Sequence, residues 1–192
     1  MKSQRGFTMV EMVVCMMVIG WLIAIAAPNF SIWIQSAQIR TAAEAVQNGL
    51  QLARSEAVRR NASVRFQLTS SADNACALST SGANWIVSQD DPSDACAATA
   101  SDTVAPRIIQ ARASTEGSPH AVVAAGQSAI VFNALGRVTP VPAGNISIDI
   151  TNPTGGTCAS TGPMRCLRLV VSKAGQIRMC DPALASTLPQ GC

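Results

Sequence analysis

In RGFTMVEM, residues 5–12, a basic start gives way to a long apolar segment. Lys2 and Arg5 are the only charged residues before position 7, and Glu11 is the only one in residues 7–30. An acid within a membrane is disfavoured by about 3 kcal/mol unless it finds a partner. Glu11 is therefore a candidate functional residue by its position alone.

Residues 7–30 form an apolar segment that is long enough to cross a membrane as a helix. At about 1.5 Å per residue they span roughly 36 Å, against about 30 Å for a hydrocarbon core. The next basic residue is Arg40, so the positive-inside rule places residues 1–6 in the cytoplasm and the rest of the chain outside. A secretory signal peptide has the same basic start, but IAAPNF, residues 25–30, is only a weak cleavage site.

The composition after this segment predicts one globular domain without a strong net charge. About 160 residues remain, which is enough for a single hydrophobic core. Twelve of the 14 Lys and Arg residues follow residue 30, and so do ten of the 11 Asp and Glu residues. So small a difference argues against a polyanionic partner that is recognised by net charge alone.

Six of the seven Cys lie in the outward-facing part of the chain, where disulfides are stable. Cys15, inside the apolar segment, is interpreted as a small apolar residue. Sequence leaves many pairings open, but the short spacers favour neighbours along the chain. The predicted disulfides are Cys76–Cys96, Cys158–Cys166 and Cys180–Cys192. Zinc is disfavoured because there is no Cys-x-x-Cys motif and His120 is the only histidine.

A helical pattern continues beyond the apolar segment. Small and apolar residues recur three and four positions apart, which places them on one face of a helix. They are Ile32, Ser36, Ile39, Ala43, Val46, Leu50, Ala53 and Ala57. Asn61 is a plausible helix stop, and Glu56 can pair with Arg60 one turn later. One helix is therefore predicted over about residues 7–60, with its amphipathic half in residues 31–61.

The remainder of the chain, residues 62–192, changes to the two-residue period of half-buried strands. SVRFQLT, residues 63–69, alternates apolar and polar side chains in this way. The other predicted strands lie in residues 84–88, 107–112, 120–124 and 145–150, and hairpins are predicted in residues 128–140 and 166–180. The predicted fold class is α+β, with a long N-terminal helix packed on an antiparallel β-sheet domain that carries the disulfides.

These motifs resemble a known family. RGFTMVEM is similar to the processing site of type IV pilin-like proteins, in which a prepilin peptidase cleaves after Gly and methylates the new N-terminal Phe. The resemblance implies a leader of residues 1–6, cleavage between Gly6 and Phe7, and methylation of Phe7. LARSEAVRRN (residues 52–61), Trp85, VFNALGRV (residues 131–138) and the C-terminal hairpin resemble the GspH/FimT group of minor pilins and pseudopilins.

The resemblance also implies a function. Such a chain is a structural subunit that waits in the inner membrane, with its C-terminal domain in the periplasm, and then joins a type IV pilus or a type II secretion pseudopilus. Its expected partners are other pilins or pseudopilins, the prepilin peptidase and the membrane. Both filament types use the same leader and helix, so the sequence leaves the choice between them open.

Specific roles follow for residues of the helix. Glu11 is expected to pair with the positive N-terminal amine of a neighbouring subunit and so to guide assembly; the alternative is that it merely lies near the membrane interface or pairs with its own amine. Pro28 is expected to kink the helix, because proline removes a backbone hydrogen bond. The resemblance implies loss of helix between Gly20 and Pro28 on assembly, whereas the alternative is a static bend.

A DNA-binding function is the alternative to a purely structural one. Some FimT-like proteins are thought to act in DNA uptake, that is natural transformation, through a C-terminal Gly-Arg-x-Arg element. Here GQIRMCDP, residues 175–182, keeps Gly175 and Arg178 but has Gln176 in place of the first Arg. Loss of one cation removes about one phosphate contact. The candidate DNA-binding residues are Arg165, Arg168, Lys173 and Arg178.

An enzymatic function is not predicted, and neither is a cofactor. The sequence has no Ser/His/Asp arrangement around a recognisable nucleophile turn, no phosphate-binding glycine loop and no cluster of metal ligands. A lone histidine such as His120 is more often structural than catalytic.

Overall fold

The computed structural model of the protein describes residues 8–159, 161–162 and 164–192, with residues 26–29 described by their backbone only. The predicted leader, Gly6 and Phe7 lie outside the described residues. Within them the chain forms one long helix and two four-stranded antiparallel sheets. The fold is therefore α+β, as predicted.

The helix, α1, comprises Met9–Arg60 and has a cap at each end. At its start the Thr8 side-chain oxygen accepts a hydrogen bond from the Glu11 amide at 3.3 Å. At its end Asn61 adopts a left-handed conformation with φ of 48°, and its amide donates to the carbonyls of Ala57 and Val58. Asn tolerates this conformation better than most residues, which explains why the helix stops where the sequence predicts.

The predicted stripe of small and apolar residues is the side of α1 that packs on the sheets. Its C-terminal six members are at most 1% exposed: Ile39, Ala43, Val46, Leu50, Ala53 and Ala57. Ile32 and Ser36 are only partly buried. Three of the six are alanines, which let the helix axis approach the strands closely.

Eight strands follow the helix, and each overlaps a segment that the sequence predicts. They are β1 (Val64–Thr69), β2 (Asn84–Ser88), β3 (Ile108–Arg112), β4 (Val122–Ala125), β5 (Ala129–Phe132), β6 (Ile146–Thr151), β7 (Leu167–Val171) and β8 (Ile177–Cys180). A short 3-10 helix, Pro153–Gly155, lies between β6 and β7. The first sheet has the order β3-β2-β1-β5 and the second has the order β4-β6-β7-β8.

The β domain is divided into two sheets, a division that the sequence pattern does not specify. The predicted hairpin of residues 128–140 forms only one arm, β5, because its second arm pairs through a single bridge from Phe132 to Val138. Pro140 and Pro142 follow that bridge, and proline has no amide hydrogen with which to continue a ladder. The chain then crosses to the second sheet, and α1 contacts strands of both sheets.

The disulfides join neighbouring Cys residues along the chain, and one of them reaches the main core between helix and sheets through buried Cys166. They are Cys76–Cys96, Cys158–Cys166 and Cys180–Cys192. Cys76 and Cys96 pack with Ile86 and Ile108 in a second apolar cluster. Because Ile86 alternates with core-facing Trp85 and Val87, this cluster covers the face of the first sheet that is turned away from the helix.

Gly49 provides a test of the packing between helix and sheet. A Cβ atom at this position would lie 2.9 Å from Phe66 and 3.0 Å from Trp85, whose ring centroids are 5.6 Å apart. Ala normally stabilises a helix by up to about 1 kcal/mol over Gly, but overpacking a core costs about 1–3 kcal/mol. We therefore expect Gly49→Ala to lower the melting temperature in thermal unfolding followed by circular dichroism.

The matched control is Gly126→Ala, since an added Cβ at Gly126 meets no atom within 4 Å. This control should melt close to the unchanged protein. A Gly49→Ala protein that is as stable as the parent would contradict the tight contact.

Candidate functional site

The N-terminal half of α1 is apolar and exposed. Every residue from 9 to 25 is exposed, including large side chains such as Met16, Trp21 and Leu22. A soluble surface rarely carries a continuous apolar face of this size. This half of the helix therefore has the surface expected of a segment that lies in lipid or packs among other helices.

A bend separates the two halves of the helix. No single straight helix in the described part of the chain is both long and apolar enough to cross a membrane, but Met9–Ile25 and Phe30–Arg60 together satisfy this criterion by length and composition, with a 42° bend between them. Pro28 lies in the intervening stretch. The backbone is helical on both sides and through the bend. Melting between Gly20 and Pro28 on assembly therefore stays a prediction.

Glu11 lies in the first turn of α1 and is exposed. Thr8 and Glu11 have the spacing of a helix capping box, and the Glu11 amide donates to the Thr8 hydroxyl. A carboxylate in this turn also stabilises the helix dipole by about 0.3–1 kcal/mol. Sequence reasoning missed this local role, although Thr three residues before Glu is its signal. The predicted partner of Glu11 is the N-terminal amine of a neighbouring subunit, and Phe7, which would carry this amine in each subunit, lies outside the described residues.

Two of the four candidate DNA-binding residues form ion pairs. Nε of Arg168 donates to Oδ1 of Asp149 at 2.6 Å across β6 and β7. Nη1 of Arg165 donates to Oδ2 of Asp181 at 3.3 Å. These pairs neutralise charge that a phosphate would otherwise meet.

The four basic residues do not all lie together. Arg165 lies beside residues 33–40 of α1, whereas the turn that holds Lys173 packs near Arg54 and Gly136. Positions 40 and 54 are about 21 Å apart along a helix. Arg178 lies opposite Val170 on the outer face of the second sheet, where Arg168 is its diagonal neighbour on β7. Arg165 is therefore separate from the other predicted residues, and Arg168 is already paired with Asp149.

An ion-pair cluster at the end of α1 was only partly predicted. Glu56 accepts hydrogen bonds at 2.6 Å from both Arg59 and Arg60, and Nη1 of Arg60 also lies 2.6 Å from Oδ1 of Asp102. The hydrogen bond from Arg59 is the main cause that holds the pKa of Glu56 below its usual range, and Arg60 adds to it. Asp102 is distant in sequence, so no local signal could place it here.

A second ion pair supports the same long loop. The Arg107 guanidinium forms a two-pronged hydrogen bond to the Asp90 carboxylate, with Nε at 2.7 Å from Oδ2. This bond holds the pKa of Asp90 below its usual range. Residues 89–105 are thereby fixed at both ends by charge pairs, without any strand of their own.

The described residues contain no group of three or more His, Cys, Asp or Glu that could hold a metal ion. His120 is exposed in the turn before β4, not within the strand as its sequence position suggests.

Two family models match this chain. The family described as type II transport protein GspH matches residues 42–175, which include the buried half of the helix and most of the sheets. The prokaryotic N-terminal methylation motif matches residues 1–27. None of the curated proteins matches the chain.

Two solved structures resemble the chain, and both are crystal forms of the type IV minor pilin FimU from Pseudomonas aeruginosa. One is 21% identical with a TM-score of 0.50, and the match covers 81% of this chain and 96% of that one. The other is 19% identical with a TM-score of 0.47, covering 80% and 98%. At this identity the first likeness supports the fold alone.

The cluster at Glu56 predicts a pH dependence of stability. Because folding lowers the pKa of Glu56, its charged form stabilises the protein at pH values above the unfolded pKa. This contribution is lost as the pH falls through the lower folded pKa. Glu56→Gln should lower the free energy of unfolding at pH 7 by on the order of 1 kcal/mol, the upper range for such pairs. It should also reduce the loss of stability that the parent protein shows between about pH 5 and 3.

Thermal unfolding of the full-length protein in detergent at several pH values measures both effects. Glu44→Gln is the matched control, since Glu44 is exposed on the same helix and forms no ion pair among the described residues. An unchanged pH profile in Glu56→Gln would argue against the cluster.

Proposed function

This chain belongs to the GspH family, and from that premise we propose that it is a minor pilin or pseudopilin, a structural subunit for the assembly or priming of a type IV pilus or a type II secretion pseudopilus. A prepilin peptidase would remove residues 1–6 and leave Phe7 as a methylated N-terminus. The match to the N-terminal methylation motif supports this processing. The work of such a subunit is contact with other subunits, not catalysis.

The observation that carries the proposal is the contrast between the two halves of α1. Six residues of its C-terminal half are at most 1% exposed against the chain's own sheets, whereas residues 9–25 are all exposed and almost all apolar. An apolar helix can bury its surface in lipid before assembly and against other helices afterwards. The same surface thus serves the membrane-anchored precursor and the assembled filament.

Glu11 would guide the transfer of the helix from the membrane into the filament. Cleavage before Phe7 creates a cationic amine about one helical turn from the carboxylate, and in a low-dielectric environment opposite charges attract strongly. Pairing between Glu11 of an incoming subunit and the amine of a neighbour would set the axial register. The capping contact with Thr8 gives the same residue a local role, so the two roles need separate variants.

DNA uptake is not advanced as a second function. Arg165 and Arg168 are held in ion pairs, and Lys173 lies at the opposite end of the domain from Arg165. This arrangement favours a structural reading of these arginines.

The role of Glu11 predicts the behaviour of three variants. Glu11→Val and Glu11→Gln remove the charge, so both should be inserted and processed normally but be lost from filament fractions sheared from cells. Thr8→Ala removes the capping hydroxyl and keeps the carboxylate, so it should be incorporated at the parent level. Immunoblots of membrane and sheared fractions measure processing and incorporation together.

Normal incorporation of Glu11→Val would contradict the pairing role. A Thr8→Ala protein as defective as Glu11→Val would show that the helix cap, and not intermolecular pairing, is what matters.

The proposal also predicts partners of one chemical type. Purification of the full-length protein from cross-linked membranes should yield other chains whose precursor sequences begin with a short basic leader, a Gly-Phe junction and an acid four residues after the Phe. Mass spectrometry identifies them, and their identity distinguishes a pilus from a secretion system. Recovery of the chain without any such partner would count against a filament subunit.

A further inference from the structure

A groove of about 830 Å³ lies between the middle of α1 and the C-terminal part of the second sheet. Trp33 and Arg40 line it from the helix, and Arg165, Leu167, Met179 and Asp181 line it from the sheet side. The groove thus combines apolar side chains with two guanidinium groups. It is distinct from the exposed apolar half of the helix.

The charged side chains that line the groove carry a net positive charge. The Asp181 carboxylate is 7% exposed and is already occupied, since it accepts hydrogen bonds from Arg165 at 3.3 Å and from the Ala183 amide at 2.9 Å. Arg40 is exposed and forms no ion pair within the described residues. The lining therefore has one uncompensated positive charge, and Asp181 holds the second guanidinium in place. Such a lining favours an anionic ligand.

The groove begins where the apolar segment ends. Phe30 and Trp33 are 62% and 65% exposed, and their rings stack 5.9 Å apart. Trp is enriched at membrane interfaces. Arg40 is about 15 Å further along the helix, and helical side chains lean toward the N-terminus, here toward the membrane. The 42° bend further reduces the height of Arg40 above the membrane surface.

We propose that this groove binds the phosphate of one anionic phospholipid from the outward leaflet. Arg40 would supply the charge that attracts the phosphate, and the remaining N–H groups of Arg165, whose charge Asp181 balances, would donate to the phosphate oxygens. Trp33, Leu167 and Met179 would contact the glycerol and the first acyl carbons. The inference rests on the membrane anchorage in the proposed function, and it adds a specific lipid contact that holds the globular domain against the membrane before assembly.

The test uses the full-length protein in detergent, titrated with dioleoyl phosphatidylglycerol or dioleoyl phosphatidylcholine, with bound lipid counted by native mass spectrometry. The unchanged protein should retain one phosphatidylglycerol in preference to phosphatidylcholine. Arg40→Gln should weaken phosphatidylglycerol binding by about fivefold, the effect of about one surface cation on an anionic lipid. Arg40→Gln leaves the pair between Arg165 and Asp181 intact, so folding is preserved.

Two variants control for charge. Arg137→Gln removes the same charge from an exposed site after β5, beside the far end of α1, and should bind lipid like the parent. Arg40→Lys keeps the charge and should retain most of the preference. Equal binding of both lipids by the parent, or equal phosphatidylglycerol binding by Arg40→Gln and the parent, would overturn the proposal.

Two further measurements identify the ligand that binds in the groove. Inorganic phosphate in tenfold excess over the lipid should not displace it, because free phosphate cannot use the apolar lining; displacement would show a free-anion site and overturn the lipid assignment. An Arg40→Gln protein that binds lipid normally but loses its pilin partners would assign the groove to a protein contact instead.

The same preparation separates this inference from the proposed function. If the processed chain is found in the membrane fraction but shows no lipid preference, only the lipid site is wrong. If the chain is absent from the membrane fraction, the proposed anchorage itself fails.

Discussion

The structure depends on the packing of one helix face against two sheets. The stripe from Ile39 to Ala57 is almost completely buried, and strands of both sheets contact it. Alternating apolar residues of β1 and of β6 supply the other side of this core. The helix is therefore the element that makes one domain out of two sheets. Its free half continues beyond the domain, after the 42° bend between Met9–Ile25 and Phe30–Arg60.

Much of this architecture was predictable because its signals are local. The helix is defined by a three-and-four periodicity and by Asn61, and both act within a few residues. The strands carry a two-residue period, and the disulfides join Cys residues only 8–20 positions apart. The assignment of strands to sheets was not predictable, because the pairing of Val64 with Phe132 depends on chain segments that are far apart in sequence. The prediction of a second strand after β5 was wrong for a local reason. The alternating pattern suggested a strand there, but the prolines that follow prevent the ladder from continuing.

The candidate site likewise has features that the sequence could predict and features that it could not. The apolar segment and Glu11 stand out in sequence because each is unusual at its position, and the structure adds only the capping contact with Thr8. The basic residues near the C-terminus could not be judged in this way, because their charge is cancelled by partners that are distant in sequence: Asp149 for Arg168 and Asp181 for Arg165. Whether several arginines form a patch is a property of the folded surface. The groove beside Arg40 is another such property, since its two walls come from opposite ends of the chain.

The placement of the three disulfides has a consequence for how the domain matures. Each bond closes a loop or a tail that is local in sequence, and none crosses from one sheet to the other. The central core can therefore collapse around the helix while the thiols are still reduced, and oxidation then locks the irregular segments in an already formed scaffold. A chain exported through a membrane would in this way acquire its shape first and its resistance to proteases afterwards.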